Sequence, residues 1–102
     1  MEHHVYFWLK EEHQSTASRS AFEEGLKALL QIDLIESGSW GVPAQTAVRP
    51  VTENSWDYGL SLKFASQAEH DLYQDHAEHD VFVEKFKDYW SKVQVMDLEE
   101  TR

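Results

Sequence analysis

HHVYFWL (residues 3–9) is the stretch that decides the architecture. A short run of β-branched and aromatic residues reads as a strand. Successive strand side chains point to opposite faces, so Val5, Phe7 and Leu9 share one face and His4, Tyr6 and Trp8 share the other. A strand that is bulky and apolar on both faces needs cover on both. In a chain of 102 residues, read as a single domain over 1–102, its own helices can cover one face and a second copy of the chain the other.

The elements that follow alternate. Phe22, Leu26, Leu29 and Leu30 fall at i, i+4, i+7 and i+8, one stripe of a helix, with Ser15 and Ser18 as candidate caps. Ser20 and Glu23 also have capping-box spacing, which leaves the start of that helix open by several residues. LIESGSWG (34–41) is a weaker strand, and residues 42–54, which hold both prolines, read as a long extended loop. YGLSLKF (58–64) alternates Tyr58, Leu60, Leu62 and Phe64 with small or polar residues, which is a strand with two unlike faces. Residues 66–90 are helical, opened by a Ser66/Glu69 capping box, with a break near His76 left open. Its aromatic stripe of Phe82, Phe86, Tyr89 and Trp90 is assigned to the core, and KVQVMDLEE (92–100) closes the domain as a strand. The order βαββαβ predicts an α+β, ferredoxin-like fold with a four-stranded antiparallel sheet.

Composition removes several functions. Nine basic against nineteen acidic residues give a net charge of -10, which repels a phosphate backbone or an anionic bilayer. No nucleic acid and no membrane partner is expected. The absence of cysteine excludes thiol catalysis, disulfides and cysteine-type zinc sites. MEHHVYFWLK lacks the features of a signal peptide, and a cytoplasmic location is the expectation. There is no Gly-rich phosphate loop and no nucleophile-elbow motif.

YQDHAEHDVF (73–82) carries the chemistry, with Tyr73, His76, His79 and several carboxylates in one short stretch. Together with HHVYFWLK and the SWG of the second strand, it resembles the stress-responsive A/B barrel (Dabb) family over nearly the whole chain. The most diagnostic part is H-x-x-H followed by an aromatic: His76, His79 and Phe82. The resemblance implies a homodimer whose two sheets meet face to face as a dimeric α/β barrel. Most members of the family have no settled activity. Similarity to a plant polyketide cyclase of the family implies catalytic roles for Tyr73 and His79 and a pocket role for His4. A further pocket histidine of that cyclase falls on Tyr58, and the proline common in H-P-x-H is Ala77 here. The chemistry is sensible: a near-neutral histidine can take a proton from an activated carbon, and a tyrosine hydroxyl can hydrogen-bond the oxygen that gains charge.

The expected site is a small, mostly apolar pocket between sheet and helices, with His79 and Tyr73 as candidate catalytic residues. His4, Tyr6, Trp8, Tyr58 and His76 are the candidate ligand contacts, and the bulk of Tyr6 and Trp8 is expected to narrow the pocket. No cofactor is expected. His76 and His79 at i, i+3 are a weak metal signal, so no metal site is assigned to them. His3, His13 and His70 read as surface residues. Three functions stay open: binding of a small apolar or phenolic molecule, cofactor-free acid–base catalysis of the cyclase type, and a dimerisation module without a ligand.

Overall fold

The computed structural model describes residues 1–101. The elements are β1 (Glu2–Leu9), α1 (Thr16–Leu29), β2 (Ser37–Gly41), β3 (Tyr58–Lys63), α2 (Gln67–Gln74), α3 (Ala77–Phe86) and β4 (Trp90–Leu98). The strands form one antiparallel sheet in the order β2-β3-β1-β4, so the first strand is central and the last is an edge. This is the expected ferredoxin-like arrangement.

Local chemistry explains the element ends. Ser15 opens α1, its hydroxyl accepting from the Ser18 N–H at 3.1 Å, so the Ser20/Glu23 alternative lies inside the helix. Ser66 opens α2 in the same way, accepting from the Glu69 N–H at 3.2 Å. The long helical stretch ends earlier than the aromatic pattern suggests. It stops at Phe86, makes one 3₁₀ turn over Lys87–Tyr89, and Trp90 already begins β4. Phe82 and Phe86 are therefore core, whereas Tyr89 and Trp90 are only partly buried.

The core lies between one face of the sheet and the helices. Val5, Phe7 and Leu9 of β1, with Tyr58, Leu60 and Leu62 of β3, pack on Phe22, Leu26 and Leu29 of α1 and on Phe82 and Phe86 of α3. Close approach of α1 to α3 depends on Gly25, where a Cβ would fall 2.3 Å from Cε2 of Phe86. His3 has the same parity as Val5 and Phe7 and is buried with them at 4 % exposure.

That parity corrects the expected pocket lining. His4, Tyr6 and Trp8 face away from the helices, on the outer face of the sheet, and narrow nothing between sheet and helices. Trp56, at the end of the long loop, packs on Tyr6 with ring centroids 5.1 Å apart, and Trp8 Nε1 donates to Ser55 Oγ at 2.9 Å. The register puts Met96 opposite His4 and Leu98 opposite Glu2 on this same face, and both are about half exposed. The loop is tied down by Asp57, which accepts from the Leu9 N–H at 2.7 Å and from Arg19 Nη2 at 2.9 Å.

Candidate functional site

The helical stretch over 66–90 does break, without a proline. Asp75 leaves helical geometry and His76 is extended (φ -70°, ψ 140°), after which α3 begins at Ala77. The His76 imidazole caps the new helix, Nδ1 accepting from the Glu78 N–H at 3.0 Å. The change of direction turns Tyr73, at the end of α2, and His79, in the first turn of α3, toward each other. Their rings meet edge to face with centroids 4.9 Å apart.

These two residues line a cavity of about 160 Å³ between sheet and helices. Tyr73, Gln74, His79 and His3 form its polar end, and Phe7, Leu60 and Phe82 are among its apolar walls. A dry cavity of roughly this size accepts one benzene-sized ring. Tyr73 is 1 % exposed, and burial alone pushes its phenol far above the ordinary range, so it stays protonated as a donor. Burial also pulls the His79 imidazole below its ordinary value of 6.5, with Asp80 opposing the shift. At neutral pH His79 is a neutral base. Its Nδ1 is buried with no hydrogen-bond partner among the described residues, as is Nε1 of Trp90, another residue of the cavity wall.

His3 is buried beside them, its ring 6.1 Å from that of Tyr73 and 4.7 Å from that of His70. His3 Nδ1 and Asp97 Oδ1 are 2.5 Å apart, across the β1–β4 register that pairs these residues. Burial lowers the His3 pKa, and the hydrogen bond to Asp97 works against that shift.

The other expected contacts lie elsewhere. Tyr58 is buried in a separate network, donating its hydroxyl to Glu23 Oε2 at 2.6 Å beside Arg19. Burial, then this carboxylate, raises its pKa. His4 Nε2 lies 3.0 Å from Glu2 Oε1 on the outer face, with Tyr6 and Trp8 along the same face. His76 is engaged as a helix cap and edges a different, open groove beside Ile32 and Leu34. Its Nδ1 is thereby committed to Glu78, and the cap and the cavity-lining His79 hold separate places. His13 stacks on Tyr89 with centroids 3.9 Å apart. The structure thus brings Tyr73 and His79 together, leaves His4, Tyr6, Trp8, Tyr58 and His76 outside their cavity, and adds His3 and Gln74 to its lining, with His70 and Asp97 beside His3. The reading of His3 and His70 as surface residues is corrected, since His3 is buried and the His70 side chain is partly buried at 13 % exposure. The signal for His3 was available, since it shares the parity of Val5, Phe7 and Leu9.

Fold and site together define a ferredoxin-like α+β domain with a histidine- and tyrosine-edged cavity under its sheet. The chain belongs to the stress responsive A/B barrel domain family, whose model matches residues 1–100. A protein from Arabidopsis thaliana superposes with a TM-score of 0.81 at 20 % identity, over 99 % of this chain and 95 % of that one. A Dabb-family protein with a ferredoxin-like fold from Mesorhizobium loti gives 0.77 at 24 % identity, over 99 % and 96 %. The hydroxynitrile lyase of Passiflora edulis gives 0.75 at 18 % identity, over 99 % and 94 %. Several further matches are described as dimeric ferredoxin-like proteins of unknown function. No curated protein matches the sequence. No helix among the described residues is long and apolar enough to cross a membrane.

Proposed function

We propose that the chain is a homodimer that binds one small, mostly apolar molecule carrying a hydroxyl or carbonyl, held in the cavity between sheet and helices. The observation that carries this reading is the pairing of Tyr73 and His79 at the polar end of a single-ring-sized apolar cavity. A neutral imidazole accepts a hydrogen bond from a ligand hydroxyl, and a protonated phenol donates one to a ligand oxygen. A phenol satisfies both while its ring takes the apolar walls. A long alkyl chain exceeds the volume. The experiment is calorimetric titration with phenol and with acetophenone. Saturable one-to-one binding that weakens at least tenfold in Tyr73→Phe supports the reading, and no heat with either compound overturns it.

The dimer half of the proposal rests on the outer face, where Tyr6, Trp8, Met96 and Leu98 gather with no helix of the described residues over them. Dimeric ferredoxin-like relatives support it. Light scattering at micromolar concentration is expected to give twice the chain mass of 11.9 kDa, and a mass of one chain contradicts it.

A second reading is cofactor-free acid–base catalysis in the same cavity, favoured by the neutral state of His79. His79 accepts a proton from an acidic C–H or O–H while Tyr73 hydrogen-bonds the substrate oxygen. One structural neighbour is a hydroxynitrile lyase, so an aromatic hydroxynitrile is a suitable probe. Deprotonation of its hydroxyl breaks the C–CN bond and gives an aldehyde and cyanide. Cyanide release above background that disappears in His79→Gln supports this reading, and background release alone rules it out for that substrate class.

A further inference from the structure

His3 and His70 hold their imidazoles in a common pattern. His3 Nδ1 lies 2.5 Å from Asp97 Oδ1, and His70 Nδ1 lies 3.0 Å from Asp71 Oδ1. A carboxylate beside Nδ1 holds a proton on Nδ1, which leaves Nε2 as the nitrogen whose lone pair is available to a metal ion. Both Nε2 atoms then point to one place. The side-chain amide nitrogen of Gln74 stands 3.4 Å from His3 Nε2 and 3.5 Å from His70 Nε2. Two lone pairs converge on a single weakly held donor.

We infer that His3 and His70 form a divalent transition-metal site of the zinc class, each binding through Nε2 and each oriented by a carboxylate. The same arrangement of a carboxylate, a histidine and a metal orients ligands and raises their basicity in built metal sites. Rotation of the Gln74 amide replaces its NH₂ with Oε1, which is a third ligand for the ion, and water completes the shell. One ligand atom from each of His3, His70 and Asp97 lies within 4.8 Å of the others, which places the three groups in one cluster. The ligand chemistry of two imidazoles and oxygen suits zinc, copper or nickel better than calcium or magnesium.

The place suits entry as well as binding. His3 is buried, but Asp97 is on the edge strand and its side chain is 42 % exposed, which leaves a route from solvent. His3 and Gln74 also line the cavity of Tyr73 and His79, so an ion here sits at that cavity's polar end. The inference does not depend on the proposed organic ligand, because none of its ligating atoms comes from Tyr73 or His79.

The test is titration of chelator-treated protein with zinc alone, followed by histidine side-chain ¹⁵N spectra and calorimetry. One saturable equivalent that moves the Nε2 resonances of His3 and His70 together is the expected result. His70→Gln, at a partly buried helix position, should weaken binding at least tenfold with an unchanged far-UV spectrum. Asp71→Asn should weaken it about 10- to 100-fold through its effect on His70. Tyr73→Phe should leave zinc affinity unchanged while lowering affinity for phenol, which separates this site from the organic pocket. Shifts centred on His76 or His13, or affinity indifferent to His70→Gln, overturn the inference.

Discussion

Tyr73 and His79 touch edge to face at 4.9 Å although six positions separate them in the chain. In an unbroken helix, six residues put two side chains about 120° apart around the axis and about 9 Å apart along it. The contact exists because His76 adopts extended geometry and restarts the helix at Ala77. The catalytic and binding proposals both depend on this break.

Ala77→Pro tests the break directly. Ala77 is the first residue of α3, where proline is favoured and its missing N–H costs no helical bond. His76 at φ -70°, ψ 140° already has the conformation that a following proline demands. The substitution is expected to stabilise the fold by about 0.4–1 kcal/mol by restricting the unfolded chain. Chemical denaturation checks it, and a destabilised variant contradicts the backbone geometry.

Gly25→Ala should act in the opposite direction from the usual helix rule. Alanine in place of glycine inside a helix ordinarily gains up to about 1 kcal/mol. Here the new methyl meets the Phe86 ring at 2.3 Å, and Phe86 is 1 % exposed. Overpacking of about 1–3 kcal/mol outweighs the propensity gain, so thermal unfolding should show a net loss.

Tyr58→Phe separates a structural tyrosine from a ligand-binding one. It leaves the Glu23 carboxylate without the hydroxyl that donates to it at 2.6 Å, which should cost about 1–3 kcal/mol of stability. Phenol affinity should stay unchanged, since Tyr58 does not line the cavity. Parallel denaturation and calorimetry give both readings.

Stability should fall on mild acidification. Burial holds the folded-state pKa of His3 and of His79 below the ordinary 6.5. Between the folded and ordinary values the unfolded chain binds more protons than the folded one, so stability decreases as pH drops. The contribution is fully present above about 6.5 and is lost as pH falls through the lowered folded values. His79→Gln should flatten part of that dependence. Urea midpoints between pH 7.5 and 5 measure it, and identical slopes in both proteins contradict the assignment to His79.

The fold was legible because its signals are periodic: the alternation in 58–64, the stripe from Phe22 to Leu29 and the Ser66 cap all stand where they were read. The sidedness of β1 was not. Val5, Phe7 and Leu9 differ from Tyr6 and Trp8 in shape but not in apolar character, so alternation identifies two faces without saying which one meets the helices. A choice of the wrong face placed His4, Tyr6 and Trp8 in the pocket and His3 at the surface. Tyr58 was misplaced for another reason, since its hydroxyl is claimed by Glu23 of α1, a partner 35 positions away that no local pattern reveals. Gln74 and Asp97 carry no local signal, because each gains its meaning only when β4 pairs with β1 and α2 brings Gln74 to His3.

The most direct test of the central claim is side-chain NMR of the histidines and tyrosines during titration with phenol. Saturable shifts confined to His79, Tyr73 and His3, with His4 and Tyr58 unmoved, are the predicted result. Shifts at His4 or Tyr6, or no saturable shift at Tyr73 and His79, would contradict the cavity as the binding site.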